Sequence, residues 1–453
     1  MKRACILLLG ILMYFSGRAQ QPMPPTQSMQ SDEMPFFYYE AINLAGTDST
    51  RSRIDIPYRV DNQFLVTIKN TDASFPHPFV RRGEVYLELL DKDGVSKARK
   101  IDRFEIGETS TENVPGQKSW HEGIASFMVP PGEYSITFEI NDLESERKFL
   151  DRNRKVIAQK FTGDKLQTSN PLFIMPGTDS AQTISPLTLG GNILYGTGAY
   201  LYVQLLSDRL TREPVRVEYS VSQKEIFDRD SQPLVADTIE RIELLPQGSL
   251  TVAAESSTPS YIHSSTYRQT AGAFILPLDA EKWPLRPFTI TLKVKQGKLE
   301  ANLEHRFRMV WPDMPASLRD VDFALEALRH ITSEDELDSL QSGSKETRLK
   351  HLEEFWQKKD PTPNTNFNEM MVEYYRRVDH TMRAFSSIKG GDGYKSDRGR
   401  IYILHGPPSK VERTLDPNEG YTEVWTYDKQ NKKFLFADRA KSGNYLLIST
   451  QTL

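Results

Sequence analysis

The chain has 453 residues, with 57 lysines and arginines against 61 aspartates and glutamates and a formal net charge of −4. That length is too great for one ordinary domain and fits about two to four. Without a surplus of positive charge to neutralise phosphates, nucleic acid is not an expected partner.

At the start, Lys2 and Arg3 precede an apolar stretch from Ala4 to Phe15, and Gly17-Arg18-Ala19 puts small residues at the −3 and −1 positions of a cut before Gln20. This predicts a signal peptide over residues 1–19, export through the general secretory pathway, and a periplasmic or outer-membrane-associated product. The stretch is too short to span a bilayer stably, and no later stretch is apolar for long enough, so no transmembrane segment is expected in the mature chain. The single cysteine, Cys5, lies inside the apolar stretch, misplaced for lipid attachment. The expected product is therefore not a lipoprotein and has no disulfide, thiolate nucleophile or Cys-ligated metal. Residues 20–35, rich in Gln, Pro, Met and Ser, read as a flexible leader.

Residues 36–170 show short runs of period two, at Val60 to Ile68, Glu84 to Leu90 and Tyr134 to Ile140, with a turn at Pro130-Pro131-Gly132. They predict an Ig-like antiparallel β-sandwich. The charged run Asp142 to Lys155 reads as a solvated loop or short helix, and Pro171 to Pro186 as a linker. A second β-sandwich is expected over residues 187–311, with strands at Ala199 to Leu205, Val215 to Val221, Arg241 to Leu245, Ala273 to Leu276, Phe288 to Val294 and Leu303 to Trp311. Gly190-Gly191 and Gly196 mark its tight turns.

From residue 316 the period changes to that of a helix. Ser317 with Asp320, and Ser333 with Glu336, read as capping boxes. Leu349, Leu352 and Phe355 or Trp356 line a third helix that Asp360-Pro361 stops. Asn366 with Glu369 opens a fourth, carrying Tyr374, Tyr375 and Val378 and ended by Gly390-Gly391. After Gly399 the alternation returns, and Arg400 to His405, Tyr421 to Tyr427, Lys433 to Asp438 and Tyr445 to Ser449 read as strands. Residues 316–453 are thus expected to be an α+β unit, with helices packed on a small antiparallel sheet.

Several spaced motifs in this unit agree in order with one known family. They are Phe355-Trp356, then Asp360-Pro361-Thr362-Pro363-Asn364-Thr365, Asn368-Glu369, the helix at Tyr374 to Arg377, Gly393-Tyr394-Lys395-Ser396-Asp397, Asp397 to Ile403, and Gly406-Pro407-Pro408. From Trp311 onward the chain resembles the GWxTD domain of exported proteins of Bacteroidota and some other bacteria. In the name motif Tyr394 replaces Trp and Ser396 replaces Thr. The resemblance implies an exported envelope protein and no established activity. The last part, a Gly-Pro-Pro turn followed by Trp425-Thr426-Tyr427 and Phe434-Leu435-Phe436, is also similar to small lipoproteins of the outer-membrane barrel-assembly machinery, which are interaction modules.

Glu369, Arg376, Asp397, Arg398, Arg400 and Tyr402 are expected to share one polar network, either a binding site or an Asp–Arg lock holding the unit together. On a strand, Arg400 and Tyr402 would share a face. His405 is a secondary candidate as an acid–base group oriented by Asp397, though a structural histidine beside a turn is the better reading. Asp360, Glu369 and Asp397 would form a carboxylate cluster for glycan hydrolysis or Ca²⁺ only if they met in space. Glu423, Trp425 and Tyr427 share a strand face, either an exposed platform or a packed one. No catalytic residue, metal site or cofactor is predicted. The eight histidines are scattered, and no nucleophile elbow or phosphate loop occurs. The expected role is non-enzymatic: an interaction or scaffold component whose partners are envelope or outer-membrane proteins. Accessory work in outer-membrane protein assembly or secretion, and a hydrolase of envelope glycan or peptide, are the alternatives.

Overall fold

The computed structural model describes residues 36–46, 50–110, 119–175, 183–208, 210, 213–223, 233–246, 250–252, 259–263, 271–386, 392–416 and 420–453. The expected signal peptide, the leader and the Gly390-Gly391 helix stop lie outside them. Among the described residues no helix is long and apolar enough to cross a membrane.

The protein is mostly β-sheet, with its helices gathered in the C-terminal part. The first β region holds β1 (Phe37–Tyr39), β2 (Ile42–Ala45), β3 (Ser52–Asp61), β4 (Ile68–Lys69), β5 (Phe79–Leu90), β6 (Ser96–Glu108), β7 (Trp120–Val129), β8 (Gly132–Asp142) and β9 (Lys148–Ala158). One sheet centres on β3, flanked by β1, β2 and β7, and the other joins β4, β5, β6, β8 and β9. Alternate residues of both, among them Ile54, Ile56, Val85, Leu87, Phe127, Phe138 and Ile140, meet in one core. Of the charged run Asp142 to Lys155, residues 143–147 form the turn after β8, as a loop reading expects, but Lys148 onward is strand β9. Lys148, Arg152 and Lys155 are exposed, Arg154 packs over Tyr39, and Val156 and Ala158 are buried. Only the ends of the predicted Val60–Ile68 strand lie in ladders, because residues Asn62–Phe64 form a 3₁₀ turn capped by Asp61.

The second β region contains β10 (Gln167–Thr168), β11 (Leu172–Ile174), β12 (Thr183–Ile184), β13 (Ile193–Leu194), β14 (Ala199–Leu206), β15 (Arg216–Gln223), β16 (Val235–Ile239), β17 (Leu245–Pro246), β18 (Leu250–Val252), β19 (Tyr261–His263), β20 (Ala271–Leu278), β21 (Pro287–Gln296) and β22 (Leu299–Val310). Strands β10, β11, β14, β17 and β20 form one sheet, and β13, β15, β16, β21 and β22 another. Leu172–Ile174, in the stretch read as a linker, is a buried strand paired with β14. Of the predicted Arg241–Leu245 strand only Leu245 is in a ladder.

The two β regions are joined by more than their covalent link. Ile42, Leu44 and Ile124 from the first pack with Leu172, Ile174, Tyr202 and Tyr261 from the second in one buried cluster. The backbone edge of β2 is closed by side chains of the second region. The Asn43 amide donates to Asn170 Oδ1 (2.9 Å) and the Ala45 amide to Gln204 Oε1 (3.1 Å).

The C-terminal part has α1 (Val321–Ala327), α2 (Glu334–Gln341), α3 (Lys345–Gln357), α4 (Glu369–Ala384) and α5 (Asp397–His405), then β23 (Lys410–Asp416), β24 (Gly420–Tyr427), β25 (Lys432–Asp438) and β26 (Leu446–Thr452) in one antiparallel sheet in that order. Short polar side chains start the helices: Asp320 for α1, Ser333 for α2, Ser344 for α3, Asn368 for α4 and Ser396 for α5. Leu325, Leu328, Leu352, Phe355, Trp356, Tyr374, Tyr375 and Tyr394 fill the helical core. Two tyrosine hydroxyls end in carbonyls of α1, Tyr374 on Ala327 O (2.6 Å) and Tyr375 on Ala324 O (2.8 Å). Ile401, Trp425, Tyr427, Phe434 and Phe436 form a second core between α5 and the sheet.

Two sequence expectations are overturned here. Asp320, not Ser317, caps α1, and the Ser317 hydroxyl donates instead to Tyr375 O (3.2 Å). Arg400 to His405 is the second half of helix α5, not a strand. The first sheet strand is instead Lys410–Asp416, which had no predicted element.

Candidate functional site

Each residue of the Gly393-Tyr394-Lys395-Ser396-Asp397 motif has a local reason. Gly393 lies against the last turn of α4, where a Cβ would sit 1.9 Å from Thr381 O. Two turns on, a Cβ on Gly399 would sit 2.0 Å from Gly393 O. Only glycine permits this stacking of chain on chain. Tyr394 is fully buried, edge-on to Phe323 at 5.2 Å. Its hydroxyl lies beside the Glu326–Lys395 pair (2.7 Å) and interacts with both, and burial above all raises its pKa to about 12. The Ser396 hydroxyl donates to Gly393 O (2.7 Å) and accepts the Gly399 amide (3.0 Å), so it both closes the preceding turn and caps α5. Asp397 takes the Leu447 amide at 2.8 Å and thereby ties α5 to β26.

The predicted network divides. Arg398 and Glu423 lie at its centre, with side chains 11% and 4% exposed and 3.4 Å apart. Glu423 also accepts Arg413 Nε (2.8 Å) and Trp425 Nε1 (3.1 Å). Arg398 donates to Gly443 O (3.2 Å), with its guanidinium over Tyr445 at 4.0 Å and Phe385 at 4.9 Å. A buried carboxylate with three donors, and a buried cation between two rings, balance one another's charge. Trp425 is packed, 2% exposed, so the strand face shared by Glu423, Trp425 and Tyr427 is an interior one.

Arg400 pairs with Asp397 within α5 (3.5 Å) and is partly exposed. Because this segment is a helix, Arg400 and Tyr402 do not share a face as strand residues would. Tyr402 instead stacks on His380 of α4 (4.3 Å, 14° between planes) and leans on Phe385.

Arg376 and Glu369 take no part in this network. Arg376 reaches Asp313 (2.8 Å), pinning α4 to the segment after β22. Glu369 accepts the Thr362 hydroxyl at 2.6 Å, which holds its carboxyl below the ordinary range. Thr362 is also within 3.4 Å of Asp360, so Asp360 and Glu369 share one threonine. Asp397 is bonded elsewhere, and the three carboxylates do not form one cluster. His405 is at the far end of α5 from Asp397, about 12 Å along the axis at 1.5 Å per residue, so Asp397 does not orient it. The ring packs near Phe434 (5.3 Å) and Tyr427 (5.6 Å), and burial lowers its pKa. Among the described residues no cluster of His, Cys, Asp or Glu has the makings of a metal site.

Sequence reasoning missed several residues. Asn368, not Asn366, caps α4, and its Nδ2 donates to Trp356 O (2.8 Å). Its position immediately before Glu369, three residues from Met371, was the available signal. Asp379 accepts the amides of Ala316 (2.6 Å) and Ser317 (2.9 Å). Arg413 had no signal, since its strand was unrecognised. Arg377 donates to Ile403 O (3.1 Å) near the C-terminal end of α5, and Gly406 ends that helix at φ +80°.

The Asp360–Phe367 loop docks the helical part onto the second β region. The Asn366 amide donates to Glu281 O (3.1 Å) and its Nδ2 to Lys282 O (2.8 Å), while the Tyr195 hydroxyl donates to Asn366 O (2.6 Å). Phe367 meets Trp311 edge-on at 5.5 Å, over a glycine, Gly196, whose Cβ would collide with it at 2.5 Å.

No curated protein matches the chain. Among solved structures, a Salmonella alpha-2-macroglobulin variant aligns over 62% of this chain and 15% of its own, with 9% identity and a TM-score of 0.16. A protein of Corynebacterium diphtheriae described as membrane anchored aligns over 62% of this chain and 60% of its own, with 14% identity and a TM-score of 0.15. The chain thus spans less than two thirds of either protein. Residues 298–451, from the last strand of the second β region through the C-terminal sheet, match the GWxTD domain, and the chain therefore carries a GWxTD domain.

Proposed function

We propose that this protein is a non-enzymatic component of the cell envelope that works by binding other proteins. The observation that carries this reading is the use made of the motif residues. Glu423 is engaged by Arg398, Arg413 and Trp425 in the interior, and Asp397 takes a strand amide, so these two hold α5 to the sheet. Asp360 and Glu369 share one threonine hydroxyl in the loop before α4. The motif carboxylates thus serve separate structural contacts and do not converge on one site.

On this reading residues 1–19 direct export, and the mature protein works in the periplasm or at the outer membrane without a lipid anchor. The two β regions, the second beginning at β10, are Ig-like β-sandwiches that present the GWxTD domain. Their shared buried cluster favours a stiff arm over two beads on a string.

The test is affinity capture of the full mature chain from native envelope. Recovery of the same outer-membrane proteins from independent preparations, lost when the GWxTD domain is destabilised by Gly393→Val, supports the reading. Turnover of envelope glycan or peptide by the purified chain, abolished by Asp397→Asn at unchanged melting temperature, would sink it.

A further inference from the structure

The C-terminal sheet has two edges, β23 and β26, and neither has a further strand beside it among the described residues. On β26, α5 packs against the strand and Asp397 occupies the Leu447 amide. No such contact reaches the outer side of β23 among the described hydrogen bonds between elements.

The side chains of β23 sort by face. Val411 pairs with Trp425, Arg413 with Glu423, and Leu415 with Tyr421, so all three lie on the side of the sheet that carries the helices. The helices bury Trp425 but stop short of β23. Val411 is 41% exposed, Leu415 60% and the Arg413 side chain 76%. On the opposite face Lys410 and Glu412 satisfy each other at 2.8 Å. The strand therefore offers an apolar, a cationic and an apolar side chain in alternation, beside a backbone edge with no neighbouring strand.

An open edge accepts another strand through main-chain hydrogen bonds, and alternate side chains then set the specificity. We propose that β23 is a strand-addition site for an extended segment of a partner protein. That segment carries an apolar, an acidic and an apolar residue at alternate positions, opposite Val411, Arg413 and Leu415 in either direction. The assignment rests on the partner-binding reading above and specifies its mode. Charge complementarity selects the acidic residue: Arg413 holds its guanidinium in place through Glu423 and exposes it at the strand's centre.

The probe is a fluorescein-labelled ten-residue peptide with valine, glutamate and leucine at alternate central positions and threonine elsewhere, titrated into the full mature chain. Saturable binding is expected, with slowed amide exchange confined to Lys410–Asp416. Leu415→Asp and Val411→Asp change exposed side chains, leave the fold intact and should each weaken binding at least tenfold. Replacing the peptide's glutamate by lysine should cost a similar factor, and Arg413→Gln should remove that preference. Binding indifferent to Leu415→Asp, or slowed exchange on another sheet, overturns the proposal. So does concentration-dependent slowing of β23 without peptide, which would make a second copy of the chain the occupant. If the peptide fails while affinity capture still recovers its proteins, the strand mode falls and the partner-binding reading stands.

Discussion

At Glu423 the local chemistry predicts a larger penalty than at any other candidate side chain. Glu423→Gln leaves the buried Arg398 facing a neutral amide, whereas Arg413, mostly exposed, keeps its contact with water. Breaking a buried pair from one side costs about 3–5 kcal/mol, and a chemical-denaturation midpoint will show it. Asp397→Asn keeps an oxygen for the Leu447 amide and should cost less than about 1 kcal/mol, mainly the charge at the first turn of α5. If the two substitutions cost the same, Arg398–Glu423 is not the centre of the network. Tyr394 offers the opposite test. Its buried hydroxyl meets only the half-exposed Glu326–Lys395 pair, in poor hydrogen-bond geometry, so Tyr394→Phe should change stability by less than about 1 kcal/mol. A clear loss would mean that the neighbouring Glu326–Lys395 pair depends on that oxygen.

Helix α5 shows how far the sequence could be read. Arg400-Ile401-Tyr402-Ile403 alternates polar and β-branched residues, and on pattern alone it reads as a strand. Two things outside that pattern make it a helix. Ser396 supplies the cap, and Gly393 and Gly399 let α5 begin in contact with the preceding turn and the end of α4. The remaining helices were legible because their apolar stripes are local, although among the expected caps only Ser333 is one, α1 and α4 starting from Asp320 and Asn368 instead. Strand β23 was not, because its contact of Arg413 with Glu423 depends on a pairing partner ten residues away. The same limit applies to the site. Arg398 was found through its motif, but that Glu423 and Tyr445 enclose it follows only from the folded sheet. Cap chemistry makes a prediction at this scale. Ser396→Ala should cost about 1 kcal/mol, and Ser396→Thr should restore most of it, since either hydroxyl can accept the Gly399 amide. Urea midpoints of the three chains will decide. Equal loss in both variants would put the contribution in the size of the pocket rather than in the cap.

At the scale of the molecule, the junction between the two β regions carries a titratable group. Glu40, between β1 and β2, accepts the backbone N–H of Gly191 from the second region, where a Cβ on Gly191 would come within 3.0 Å of the carboxylate. Arg154, His305 and Tyr261 are the other titratable groups around it. Burial dominates and pushes the Glu40 carboxyl up to about 7, against the Gly191 bond and the Arg154 charge, which pull it down. A carboxyl raised in the folded state favours folding while it is protonated. Its contribution is complete below the unfolded value near 4.5 and is lost as pH rises through about 7. His305, lowered by burial, acts in the opposite sense: its contribution is complete above the ordinary histidine range and is lost on acidification. The wild-type profile therefore mixes the two, and Glu40→Gln separates them, because His305 is common to both chains. Relative to wild type, Glu40→Gln should be about 1–2 kcal/mol more stable at pH 8 than at pH 5, a figure reduced for the part of the side chain that water reaches. Urea unfolding of both chains at the two pH values measures this directly. A difference that stays flat with pH would mean that Glu40 remains ionised throughout.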